Sequence, residues 1–145
     1  MSITSREQIC ECLKRVEKRI NSLLRACHLV QHEVALYRLA SLFSAILQMS
    51  VDLAYVICRE VNPVQCNTID SVIDTLRSIG IIRGDSERAL RELENMLNTV
   101  SRLAGPSLAL YIHENLDRAI ELALTYTHDI IRFLDEHCKP RFSIQ

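Results

Sequence analysis

Arg102 stands near the start of the stretch SRLAGPSLALYIHENLDRAI, shortly before the pair Gly105-Pro106. A guanidinium stays charged at neutral pH and can hold a phosphate oxyanion, so an arginine beside a chain break is a candidate anion clamp. His113, eleven residues further on, carries an imidazole suited to proton transfer near neutrality and could lean towards Arg102 if the last helix starts early. The plainer reading makes it a structural histidine. Gln48 and Asp52 lie four residues apart in an apolar run, on a common helical face. They read either as a polar anchor inside the protein or as the lining of a nucleotide-sized cleft. Cys27, His28 and His32 offer metal-ligating atoms, but the segment straddles an expected helix end and no matching second pair follows, so unliganded histidines are expected. The three glycines are scattered, which leaves no glycine-rich phosphate loop, and there is no GxSxG elbow.

The scaffold for these residues is a chain of 145 residues, the usual length of one domain and long enough to bury a core without staples. Hydrophobic residues make up 48% and charged residues 24%, which argues for a folded chain and against disorder. A formal net charge of -1 excludes the overall basic excess that drives non-specific binding to nucleic acid, so any such contact must be local. One local candidate is the row Lys14, Arg15, Lys18 and Arg19; Glu11 and Glu17 interleave with it, which favours a solvated face. The six cysteines, at 10, 12, 27, 58, 66 and 138, are expected to be free thiols in a reducing interior, packed as small hydrophobes. Disulfide-rich thermophile cytosols are the exception to that rule. Cys10 and Cys12 point in different directions on a helix and form no local bridge. No uninterrupted apolar run reaches the length needed to span a bilayer, so the expectation is a soluble, cytoplasmic protein with no membrane partner.

Helical periodicity runs through the chain, punctuated by Pro63, Gly80, Gly84, Gly105, Pro106 and Pro140. Ser5 and Gln8 form a capping-box signature, after which Ile9, Leu13, Val16, Ile20, Leu23 and Leu24 trace one stripe to about Cys27. A second helix over 33–61 is apolar on nearly every face and should be central. Asp52 within it, if buried, needs a partner. Asn67 is the expected N-cap of a third helix, 68–79, which Gly80 should end in a left-handed conformation. A fourth helix should start at Asp85 or Ser86, turn Leu90, Leu93, Met96, Leu97 and Val100 inward, and stop at Gly105-Pro106. The fifth should begin between Ser107 and Glu114, bury Leu116, Ile120, Leu124, Ile131 and Leu134, and end before Pro140. Nothing reads as a strand. The fold class is therefore all-α, a single up-and-down bundle of about five helices over 1–145, with the apolar second helix suggesting a homodimer.

The stretch AILQMSVDLAYVICREVNPVQCNTIDSVIDTLRSIGII resembles the second and third helices of the HepT-like family of HEPN proteins. The resemblance lies in Gln48 and Asp52 on a long apolar helix, the link at Pro63, and the short helix closed by Leu76, Gly80, Ile81 and Ile82, and it extends through LRELENMLNTVSR over most of residues 6–137. It implies a small helical dimer of the kind that acts as a toxin ribonuclease beside a minimal nucleotidyltransferase antitoxin. Active members carry an arginine, a polar residue, three further residues, a histidine and, two further on, a tyrosine that the partner nucleotidyltransferase can modify. Metal-free RNA cleavage needs a base of pKa near 7 for the 2′-hydroxyl and a fixed cation for the phosphorane.

Laid on this chain, the motif puts its arginine at Arg102, its polar residue at Leu103, its histidine at Ser107 and its tyrosine at Ala109. Only the arginine survives, and an unassisted serine hydroxyl is too weak a base at neutral pH. Arg132 and His137 repeat the arginine-to-histidine spacing, but at the wrong end of the last helix and beside Asp135 and Glu136, which would repel RNA phosphates. Tyr37, Tyr55, Tyr111 and Tyr126 read as packing residues with wet hydroxyls rather than stacking platforms. The expectation is a catalytically degenerate HepT-like domain, without cofactor or metal, that binds a minimal nucleotidyltransferase or holds RNA or a nucleotide uncleaved. The alternatives are an active ribonuclease using Arg102 with His113 or a second-subunit group, and a helical scaffold that shares only the architecture.

Overall fold

A computed structural model describes residues 5–138, the side chain of Leu36 excepted. Among the described residues the chain is wholly helical, without strands: α1 (Arg6–Arg15), α2 (Glu17–Val30), α3 (Leu36–Val61), α4 (Ile69–Ser78), α5 (Gly84–Val100) and α6 (Gly105–His137). The all-α bundle is as expected, with six helices in place of about five because the first is divided at Val16. Val16 sits at φ -95°, ψ 7°, closing α1 and opening α2 in one residue. Its amide still reaches the Cys12 carbonyl at 3.1 Å, and its carbonyl still accepts from Ile20 at 3.1 Å, so the bend is local. The apolar stripe Ile9, Leu13, Val16, Ile20 and Leu23 consequently stays buried across it. The expected capping box opens α1, with Ser5 and Gln8 bonded reciprocally.

Helix α3 is the hub, in contact with each of the other five helices. That position follows from its composition, because a helix apolar on several faces is stable only when neighbours cover them. Tyr37–Val61 has the length and mean hydropathy, 1.6, of a helix able to cross a membrane, so the expectation that no segment qualifies is corrected. Phe43, Ile46, Leu47, Leu53, Ala54 and Ile57 are nonetheless fully covered by the bundle.

Helix α4 is capped by Thr68 and not by Asn67: the Thr68 hydroxyl accepts from the Ser71 amide at 3.2 Å and the Ser71 hydroxyl accepts from the Thr68 amide at 3.2 Å. Gly80 ends α4 as expected, at φ +84°. The Ile81 amide reaches back to the Leu76 carbonyl at 3.0 Å and the Gly80 amide to Arg77 at 3.1 Å, the paired bonds of a Schellman motif. At Gly105-Pro106 the expectation is reversed. Helix α5 already stops at Val100, and Gly105-Pro106 begins α6, where a proline's missing amide costs no hydrogen bond. The last helix thus starts before Ser107, and it ends at His137; Pro140, the expected stop, lies outside the described residues.

The cysteine expectation is also corrected. Cys10 is bonded to Cys138, with Cα atoms 5.4 Å apart, and Cys58 to Cys66, with Cα atoms 6.0 Å apart. The first bond joins α1 to the C-cap of α6, residues brought together only by the packing of the chain's two ends. Cys12 and Cys27 are free and buried.

Candidate functional site

The loop 101–104 separates α5 from α6, and Arg102 projects from it. The backbone there is tightened by bonds from Arg102 N to Thr99 O at 3.0 Å and from Leu103 N to Val100 O at 3.2 Å. Arg102 is exposed, and among the described residues its guanidinium has no carboxylate or hydrogen-bond partner. Ser107 lies in the first turn of α6, exposed, and among the described residues its hydroxyl has no hydrogen-bond partner that could activate it as a base.

Ala109 lines an apolar groove of about 390 Å³ together with Tyr37, Ala40, Gly105, Leu108 and Ile112. The start of α3 forms one wall and the start of α6 the other. Tyr37 is 75% exposed there, an unusual amount for an aromatic ring. His113 follows Ile112 on α6 but is not part of the groove wall; it is exposed, and among the described residues its ring has no hydrogen-bond partner. The break between α5 and α6 therefore presents an isolated cation on the loop and an apolar surface on the helix that follows.

Gln48 and Asp52 do meet, as their spacing predicts: Gln48 Nε2 donates to Asp52 Oδ1 at 2.9 Å. Both are exposed, so the reading of a buried carboxylate anchor is corrected. Helix α3 faces solvent along this strip. Asp52 instead lines a groove of about 510 Å³ between α2, α3 and α5, with Arg19, Tyr55, Arg59, Glu94 and Asn98 among its walls. The Arg59 guanidinium lies 5.4 Å from the centre of the Tyr55 ring, and the Tyr55 hydroxyl donates to Glu94 at 3.4 Å. Burial, followed by the charge and hydrogen bond of Glu94, raises the Tyr55 phenol above its ordinary pKa, with Arg59 opposing.

The remaining candidates resolve into structure. The His28 and His32 rings meet edge-on with centroids 4.8 Å apart, and among the described residues no group of three His, Cys, Asp or Glu side chains could hold a metal ion. Arg132 is paired with Asp129, and His137 packs on the Phe133 ring at 4.7 Å. Tyr126 departs from the expected wet hydroxyl: it is fully buried, its oxygen has no partner among the described residues, and burial holds its phenol well above the usual pKa.

Sequence reasoning passed over Asp129. Only 7% exposed, it accepts from the Arg83 amide at 3.0 Å and the Ser86 hydroxyl at 2.5 Å, and pairs with Arg132. Its spacing from Tyr126 and Phe133, three and four residues away on the buried face of α6, was the available signal. Arg19, Tyr55 and Arg59 were likewise not read as one site, because they come from two helices whose packing no local pattern reveals.

Compared with known proteins, the chain matches no family model, no curated protein and no solved structure.

Proposed function

We propose that this chain is a HepT-like HEPN domain that no longer cleaves RNA and acts as a binding module, most directly for a minimal nucleotidyltransferase. The reading is supported above all by Ala109. The slot that holds a modifiable tyrosine in active relatives lies here in an apolar groove with Tyr37, Leu108 and Ile112, and no imidazole lines it. Such a wall suits an apolar side chain of a protein partner; it provides neither a proton acceptor nor a clamp for a phosphorane. Arg102 remains as a charged contact at the edge of the same break. A second copy of the chain and a cytoplasmic location belong to this proposal. The two disulfides would then call for a disulfide-tolerant cytosol of the kind known in hyperthermophiles.

The competing reading is an active metal-independent ribonuclease, and what favours it is the free guanidinium of Arg102 with His113 exposed on the next helix. The deciding experiment incubates purified protein with RNA in the presence of a chelator. No cleavage above buffer is expected, and Arg102→Ala and His113→Ala should behave like the parent. Cleavage lost in both variants would defeat the proposal. In a pull-down with the small nucleotidyltransferase encoded beside this chain, Ala109→Glu should abolish capture; absence of such a neighbour would leave the helical-scaffold reading in its place.

A further inference from the structure

We infer that the Cys10–Cys138 bond is a latch opened by a dithiol, whose reduction lets α1 swing out about Val16 while the rest of the bundle stays folded. The inference is independent of the Ala109 groove and of any partner that docks there.

The two disulfides differ in access. Cys58 on α3 and Cys66 in the link to α4 are both buried. Cys10 and Cys138 are both half-buried, and Cys138 lines a groove of about 500 Å³ between α1, α2 and α6, with Lys14 and Asp135 among its walls. A thiolate can reach a sulfur only where solvent can, so the Cys138 side of the first bond is the point of attack.

The exchange has two steps. The reductant's thiolate bonds to Cys138 Sγ as the bond to Cys10 breaks, and Cys10 leaves as a thiolate that takes a proton from water. The reductant's second thiol then gives up its proton and attacks the mixed disulfide; Cys138 departs and is protonated, and the reductant is left as its own disulfide. Arg6 and Lys14, four residues either side of Cys10 along α1 and both exposed, stabilise the departing thiolate, with Glu7 opposing.

Helix α1 is built to move once that bond is gone. It is a separate segment of 10 residues because the helix is interrupted at Val16, where no side chain caps the start of α2. Rotation at one non-helical residue carries the helix as a unit, the usual form of a hinge. Among its residues only Ile9, Cys12 and Leu13 are buried. Its ion pair to Glu60 on α3 is made by Arg15, beside the bend, so the covalent tie nearer the free end is the one at Cys10. An element that buries so little lies at the low-stability end of the fold when its covalent tie is removed.

The two free thiols report the movement. Cys12 is 1% exposed and Cys27 2%, but Cys12 lies on α1 and Cys27 on α2, beyond the bend. Opening of α1 uncovers the first and leaves the second covered, whereas unfolding of the whole chain uncovers both.

The test labels the intact protein with iodoacetamide under native conditions and locates the label by fragmentation mass spectrometry. Without reductant, Cys12 and Cys27 should both stay unlabelled. As dithiothreitol is raised, Cys10 and Cys138 should take label before Cys58 and Cys66, and Cys12 should then react at least about tenfold faster than Cys27. Cys10→Ala/Cys138→Ala should show the same fast labelling of Cys12 without any reductant, and Cys58→Ala/Cys66→Ala should keep Cys12 silent. Equal rates at Cys12 and Cys27 after reduction or in the first double variant overturn the inference, because the fold then opens as a whole or not at all. So does reduction of Cys58–Cys66 ahead of Cys10–Cys138, or fast labelling of Cys12 in the second double variant. The readout is thiol labelling and not RNA cleavage or partner capture, so the latch and the Ala109 groove can fail separately.

Discussion

The hydroxyl of Ser86 donates to the carboxylate of Asp129 across 2.5 Å, in the interior between α5 and α6. Helix α5 has no side-chain cap of its own at Arg83, and Asp129, reaching across from α6, takes that residue's amide at 3.0 Å. A negative charge is thereby held at the positive end of the α5 dipole.

Removal of that carboxylate should destabilise the fold without touching either groove. Asp129→Ala leaves the Ser86 hydroxyl and the Arg83 amide without their acceptor, and a loss of about 2–4 kcal/mol in urea unfolding is expected. Asp129→Asn, which keeps an acceptor but not the charge, should lose roughly half as much. A change under about 1 kcal/mol for the alanine variant would mean that the carboxylate does not cap α5.

The two disulfides should differ in weight. On the chain-entropy relation, the Cys10–Cys138 bond, which closes a separation of 128 residues, contributes about 5 kcal/mol, and the Cys58–Cys66 bond, across 8 residues, about 2.5 kcal/mol. The double variants Cys10→Ala/Cys138→Ala and Cys58→Ala/Cys66→Ala, compared by guanidinium unfolding, test the ranking. Mass spectrometry after alkylation tests the bonds themselves. The unfolded chain should take up label at Cys12 and Cys27 alone before reduction and at all six cysteines after it. Uptake at all six without reductant would refute the pairing.

Thiol titration carries a pH signature. Burial, with the charge of Glu60 assisting and Arg15 opposing, pushes Cys12 up to about 11, and burial alone pushes Cys27 up to about 11, from an ordinary value of 9.0. A folded pKa above the unfolded one means that the native state holds its proton longer. The stability these thiols contribute is therefore complete below pH 9.0 and is lost as pH rises from 9.0 towards 11. Unfolding midpoints of the wild type should fall over that window more steeply than those of Cys12→Ala/Cys27→Ala. Native protein at pH 8 should resist thiol reagents, and rapid labelling there would count against the buried assignment.

Much of the fold can be read along the chain. The Ser5–Gln8 box, the stripe from Ile9 to Leu23, the centrality of α3 and the left-handed stop at Gly80 all follow from interactions between residues a few positions apart, which one sequence window contains. The same local logic failed at Gly105-Pro106. A proline interrupts a helix when it sits inside one and begins a helix when it sits in the first turn, and only the position at which α5 had already ended distinguished the two.

By itself, then, the sequence determined an all-helical chain with a central apolar helix, but not the inward face of α6: of the expected Leu116, Ile120, Leu124, Ile131 and Leu134 only Ile120 is buried, the others being half-buried beside a core of Ala119, Ala123, Tyr126, Ile130 and Phe133. The tertiary structure decided what lies far apart in the chain: that Cys10 meets Cys138, that Asp129 caps another helix, that Asp52 faces solvent, and that Arg19 and Arg59 share a groove. Hydrogen bonding and helical periodicity act over one or two turns, whereas pairing and exposure depend on the rotation and packing of whole helices around α3, which no short spacing encodes.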